Sequence, residues 1–126
     1  MIDFSKNPIF KLSPTNLDGS VARDIVPILL AGEKFQYVYS GGRDGVAFTD
    51  KRIVALNVQG LTGSKKDFTS LPYNKIQTFS VETAGTFDRD AELEIWFSGL
   101  GKVKFEFSRG VDVSELARVI YYYMNK

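Results

Sequence analysis

Between Gly45 and Gly85 the chain reads GVAFTDKRIVALNVQGLTGSKKDFTSLPYNKIQTFSVETAG, three strand-like runs separated by compact turns. Short apolar or alternating runs bounded by Gly, Pro, Asn and Asp predict antiparallel strands joined end to end. The pattern extends upstream, where Phe35, Tyr37 and Tyr39 alternate with polar residues, Gly41-Gly42 supplies the positive φ of a tight hairpin, and Val46-Ala47-Phe48 returns. Residues 53–58 are almost continuously apolar, which predicts a strand covered on both faces for part of its length. Residues 67–71 form a shorter strand ending at Pro72, and residues 76–82 another, in which Ile76 breaks the parity of Phe79 and Val81.

The last hairpin is the best determined. Leu93, Ile95 and Phe97 share one face with Val103, Phe105 and Phe107, while Glu92, Glu94, Trp96, Lys102, Lys104 and Glu106 point away. Both apolar sets meet one core only if the loop around residues 98–101 leaves an odd number of residues unpaired. Asp112 followed by Glu115 opens a helix in which Val113, Leu116, Ala117 and Ile120 form an apolar stripe. Near the amino terminus, residues 1–14 contain Pro8 and Pro14, show no period and read as an arm on the surface. Thr15 or Asp18 is positioned to cap a helix with Leu17, Val21, Ile25 and Ile28 on one face, interrupted by Pro27. The expected organisation is one domain, with an arm and helical segment over 1–33 and a barrel with its capping helix over 34–126.

A chain of 126 residues buries roughly two-thirds of its unfolded surface in one core. Sixteen Lys and Arg against fifteen Asp and Glu leave a charge of +1, so no broad field draws the chain to nucleic acid or an anionic membrane. The absence of both Cys and His removes Ser-His-Asp and Cys-His catalysis and the usual zinc ligand sets. No convergent catalytic, cofactor-binding or metal-binding constellation is expected from what remains. Asp88, Asp90, Glu92 and Glu94 alternate along a strand about 6.6 Å apart, which makes a row and not a cage. Without an apolar leader or a span near the roughly 20 residues a transmembrane helix needs, the expectation is a soluble, cytoplasmic protein.

Several phrases of the chain are distinctive together. Phe48-Thr49-Asp50-Lys51-Arg52-Ile53, Gln59-Gly60-Leu61-Thr62-Gly63, Leu71-Pro72-Tyr73, Phe79-Ser80-Val81-Glu82-Thr83-Ala84-Gly85 and Asp90-Ala91-Glu92-Leu93, in this order, resemble the small stand-alone bacterial pleckstrin-homology (PH) proteins. The resemblance implies a mainly β, PH-like barrel of two orthogonal antiparallel sheets, four strands and three, capped by the carboxyl-terminal helix. It also implies homo-oligomeric rings and no assigned biochemical function.

In eukaryotic PH relatives, phosphoinositide binding uses several basic residues on the first hairpin. Here that hairpin holds Lys34, Arg43 and the opposing Asp44, so membrane lipid ranks below a protein partner, and Arg43-Asp44 reads as an ion pair. Lys51, Arg52, Lys65 and Lys66 form a basic surface only if their turns meet at one end of the barrel. Leu17, Val21, Ile25, Tyr121 and Tyr122 exceed what one barrel core needs and are the candidate contacts between copies. The expected function is a non-enzymatic, self-assembling scaffold that binds itself and a protein partner, with a phospholipid or membrane-surface sensor as the alternative.

Overall fold

The computed structural model describes residues 1–5, 9–85, 90–108 and 110–126. In chain order the elements are β1 (Ile9–Pro14), α1 (Ser20–Ile25), a 3₁₀ turn (Val26–Ile28), β2 (Phe35–Gly41), β3 (Asp44–Thr49), β4 (Arg52–Gln59) and β5 (Lys65–Pro72). A second 3₁₀ turn (Tyr73–Lys75) leads into β6 (Ile76–Glu82), followed by β7 (Ala91–Phe97), β8 (Gly101–Phe107) and α2 (Val113–Met124).

One sheet of eight strands replaces the expected pair of four and three, in the order β5-β4-β3-β2-β1-β8-β7-β6. The additional strand is β1, which lies in the segment expected to be an arm. It pairs antiparallel with β2, Ser13 opposite Ser40, and parallel with β8, Ile9 opposite Phe105 and Leu12 opposite Phe107. A register irregularity between Ile9 and Leu12, where Lys11 adopts a φ of 52°, breaks the two-residue period by which a strand announces itself. Beyond Pro14, which has no amide proton, Thr15 N–H takes up the pairing with Val38 C=O at 2.9 Å. Ile2 and Phe4 are buried in the interior, with the Phe4 ring edge-on to Phe105.

The inner face of the sheet encloses a core in which Leu12, Phe48, Phe105, Phe107, Leu116 and Ile120 are fully buried. α2 packs against β6, β7 and the Tyr73–Lys75 turn that links the two end strands, β5 and β6. Its start is fixed by Asp112, whose carboxylate accepts the amides of Ser114 at 3.0 Å and Glu115 at 3.3 Å. Glu115 does not reach back to complete the cap and instead accepts the Tyr37 hydroxyl. The β7–β8 loop leaves residues 98–100 between the paired Phe97 and Gly101, the odd number that same-face pairing demands. The parity break at Ile76 is a register irregularity between Ile76 and Thr78, which lets Ile76 join Phe79 and Val81 on the core side.

A second, smaller cluster lies on the outer face of β2, β3 and β4, where Val21, Ala22 and Ile25 of α1 pack over Val38, Ala47, Val54 and Leu56. It explains the apolar run in β4, since Ile53 and Ala55 point to the main core while Val54 and Leu56 lie under α1. Leu17 is not on this helix. α1 begins only after Gly19, its N-cap, which has no side-chain cap, so neither Thr15 nor Asp18 performs that role.

Close approach of α1 requires glycine at position 45, where a Cβ would stand 2.5 Å from Val21 Cγ1 and 2.8 Å from Tyr39 O. Overpacking of this kind costs about 1–3 kcal/mol. Gly45→Ala is therefore expected to lower the urea unfolding free energy by that amount, and Val21→Ala in the same chain to recover part of it, since the Tyr39 carbonyl still obstructs. Strictly additive losses in the double variant would show that α1 does not press on this site.

Candidate functional site

The four basic residues considered as one surface have different fates. Arg52 opens β4 and turns inward to Glu33, a carboxylate whose side chain is fully buried. Arg52 Nε donates to Glu33 Oε2 at 3.0 Å and its Nη2 to Oε1 at 2.9 Å, a two-point pairing. Arg52 Nη2 also donates to the Ile28 carbonyl at 2.7 Å and Nη1 to Ser70 Oγ at 3.1 Å. Glu33 further accepts Thr49 Oγ1–H at 2.7 Å and Leu30 N–H at 3.0 Å, and Tyr73 O–H donates to Thr49 C=O at 2.7 Å. The guanidinium is thus bound to the turn after α1, to β5 and to the chain entering β2, and is not available as a phosphate ligand.

Lys51 is exposed in the β3–β4 turn. Arg52 pairs with Pro72 and Gln59 with Lys65, so Lys65 lies at the far end of the β4–β5 ladder, about 23 Å away at the usual rise per residue. Lys66 is paired with Asp24 of α1 at 3.1 Å. The expected basic surface therefore does not assemble. The acidic row is neutralised in place by Lys104, 3.2 Å from Glu92 and 3.5 Å from Glu106, and by Lys102, 3.9 Å from Glu94. Asp88 lies outside the described residues, and among those described no acidic cluster could hold a metal ion.

The candidate contacts between copies divide in the same way. Val21 and Ile25 are buried under their own sheet at 4% and 0% exposure, so they offer nothing to a second copy. Leu17, Tyr121 and Tyr122 remain outside, and Val26, Leu30 and Trp96 join them as exposed apolar side chains. Tyr121 lies over Phe79 of β6, with ring centroids 6.5 Å apart, and Tyr122 meets Tyr123 edge-on. Trp96 stands on the outer face of β7 between Thr78 of β6 and Lys102 of β8, above a cleft of about 220 Å³. Its outward direction is legible from strand alternation. Its place beside a sheet edge depends on strand order, which alternation does not reveal.

The family model for the bacterial PH domain matches residues 3–124. The chain belongs to that family. Among its relatives, "Uncharacterized protein YjqA" of Bacillus subtilis (strain 168) is 43% identical over 103 residues, 80% of this chain and 82% of that protein. A solved structure of a DUF1696 family protein with a pleckstrin-homology domain from Shewanella loihica PV-4 is 38% identical, with a TM-score of 0.78 over 91% of this chain and 98% of the other. The pleckstrin homology domain from Shewanella amazonensis SB2B is 40% identical, with a TM-score of 0.63 over 85% and 90% of the two chains.

In this bacterial PH domain the first hairpin, β2–β3, is occupied with its own structure. Arg43 donates to Gly60 C=O at 2.6 Å, and Asp44 accepts Val58 N–H at 2.9 Å. The expected Arg43-Asp44 ion pair does not form among the described contacts: Arg43 is bonded to the β4–β5 turn at Gly60 and Asp44 to the end of β4 at Val58. No helix of the described residues is long and apolar enough to cross a membrane.

Burial acts to raise the Glu33 carboxyl, and the bonds from Arg52, the Leu30 amide and Thr49 outweigh it, holding the group at about 2 against an ordinary 4.5. A carboxyl lowered on folding stabilises the folded chain above its unfolded value and loses that contribution as the pH falls toward 2. The amount at stake is on the order of 3 kcal/mol. Urea unfolding of the native chain is expected to show this loss between pH 5 and pH 2.5, whereas Glu33→Gln, weaker at pH 7, shows a much flatter decline. Parallel declines for the two chains would contradict the assignment.

Proposed function

We propose that this bacterial PH domain is a non-enzymatic scaffold that associates with itself, in a ring or a smaller closed assembly, and presents repeated surfaces to a protein partner. The observation that carries this reading is the exposure of Tyr121 and Tyr122, 63% and 57%, side by side on the outside of a helix whose other face already fills the barrel. Tyrosine joins a large apolar ring to a polar tip and is enriched at the centre of protein interfaces. Arg52, Arg43 and Lys66 are each engaged within the chain and do not converge as a phosphate clamp requires. A cysteine-free chain also suits a reducing cytoplasm.

Light scattering after size exclusion tests the association. The expected mass is a defined multiple of 14.1 kDa at micromolar concentration, reduced when Tyr121 and Tyr122 are both replaced by Ser. A native chain of 14.1 kDa throughout that range contradicts the reading. Co-sedimentation with anionic vesicles at low salt is expected to match that with neutral vesicles, and preferential pelleting with the anionic ones would instead favour the membrane-sensor alternative.

A further inference from the structure

α2 ends beside an aromatic cluster that opens to solvent. Tyr73 is buried, with its hydroxyl fixed on Thr49 C=O at 2.7 Å, and Tyr123 stacks on it with ring centroids 5.2 Å apart. Tyr122 stands at 82° to Tyr123, 5.0 Å away, and the two rings form a corner. The three tyrosines line an open cleft of about 650 Å³ together with Asp50 and Lys51 of the β3–β4 turn. Tyr121 turns elsewhere, to Phe79 of β6. One cation already occupies the corner: Lys126 Nζ lies over the Tyr122 ring, 4.7 Å from its centroid. Lys126 N–H donates to Tyr123 C=O at 3.3 Å, which holds the chain over the end of the helix. Two effects favour positive charge there. Aromatic faces attract ammonium and guanidinium groups, and the last carbonyls of a helix carry partial negative charge, which α2 meets with no basic residue in its own last turn.

We propose that this corner binds a lysine or arginine side chain of a protein partner, and that Lys126 is its intramolecular placeholder. The proposal rests on the partner-binding part of the reading above and supplies the chemistry of that partner. Asp50 and Lys51 offset each other, so a cation that displaces Lys126 leaves the charge of the cleft unchanged. An anion in the same corner would lie against ring faces and a helix carbonyl end that both repel it. The cleft is larger than one side chain fills, and Asn74, which also lines it, offers a donor and an acceptor to the peptide backbone on either side of the basic residue. Contacts of that flanking backbone are what Lys126 lacks, and they favour the partner over the placeholder.

Titration with a short capped peptide of glycine and lysine, followed through the ring signals of Tyr122 and Tyr123 by NMR, tests the assignment. Saturable shifts are expected with this peptide and none with its glycine–glutamate counterpart. Lys126→Ala removes the placeholder and is expected to tighten lysine-peptide binding about threefold or more. Lys65→Ala loses the same charge at the far end of the β4–β5 ladder and is expected to change binding little. Tyr122→Leu is expected to weaken binding about fivefold, with an unchanged far-UV spectrum. A Lys126→Ala chain that binds the lysine peptide no more tightly than the native chain, or an equal response to both peptides, overturns the cation site. Light scattering on the same samples keeps the two readings apart. If the native chain assembles but the cation site is overturned, the scaffold reading stands; if it binds the lysine peptide as a monomer, the cation site stands and the scaffold reading falls. A monomeric chain without binding overturns both. Should Tyr122→Leu fail to fold, the direction of the Lys126→Ala effect decides.

Discussion

The architecture depends on the pairing of β1 with two strands that are remote in sequence. By bonding antiparallel to β2 and parallel to β8, residues 9–14 join what would otherwise be a four-stranded and a three-stranded layer into one surface. A single curved sheet has two ends, and here those ends are β5 and β6. α2 packs on the β6 end and on the Tyr73–Lys75 turn that joins the two ends, and it closes the core there with Leu116 and Ile120. The parallel pairing needs no crossover helix, since nearly the whole chain separates β1 from β8.

The interior of this arrangement is filled. Phe48, Phe105 and Phe107 fill the interior together with the α2 stripe, and every buried side-chain nitrogen or oxygen among the described residues has a partner. The strongest charge pairing, Glu33 with Arg52, fastens the turn after α1 to the start of β4 and to β5. Isolating either member would leave a charge in a site arranged for two, which costs more than the pair contributes over an apolar substitute. Its role is to set the position of α1 over the outer face of β2, β3 and β4. Among the described residues no comparable helix covers the outer face of β6, β7 and β8, and there Trp96 is exposed.

Most strands were legible in the sequence because their signals are local. The β7–β8 hairpin follows from strict alternation and a Gly-containing loop, and its register came out with Lys102 opposite Trp96 and Lys104 opposite Glu94. The capped start of α2 follows from Asp112. β1 was hidden because it is short, irregular at Lys11 and stabilised wholly by distant partners. Arg52 looked like a surface cation because its partner Glu33 lies nineteen positions away, in a loop whose burial is set by the fold around it. Leu17 looked helical because its spacing from Val21 fits one face, but the chain enters α1 only at Ser20. The β6 edge was least legible of all, since which strands end a sheet is decided by global order and not by any property of residues 76–82 alone.

The pairing of β1 with β2 and β8 is what holds the two halves of the sheet together, and hydrogen exchange measured amide by amide tests it most directly. The amide of Thr15, bonded to the Val38 carbonyl at 2.9 Å, and that of Ser108, bonded to the Leu12 carbonyl at 2.8 Å, are expected to exchange slowly and with similar protection. Fast exchange at both amides in a chain whose β3 and β4 amides remain protected would contradict the pairing.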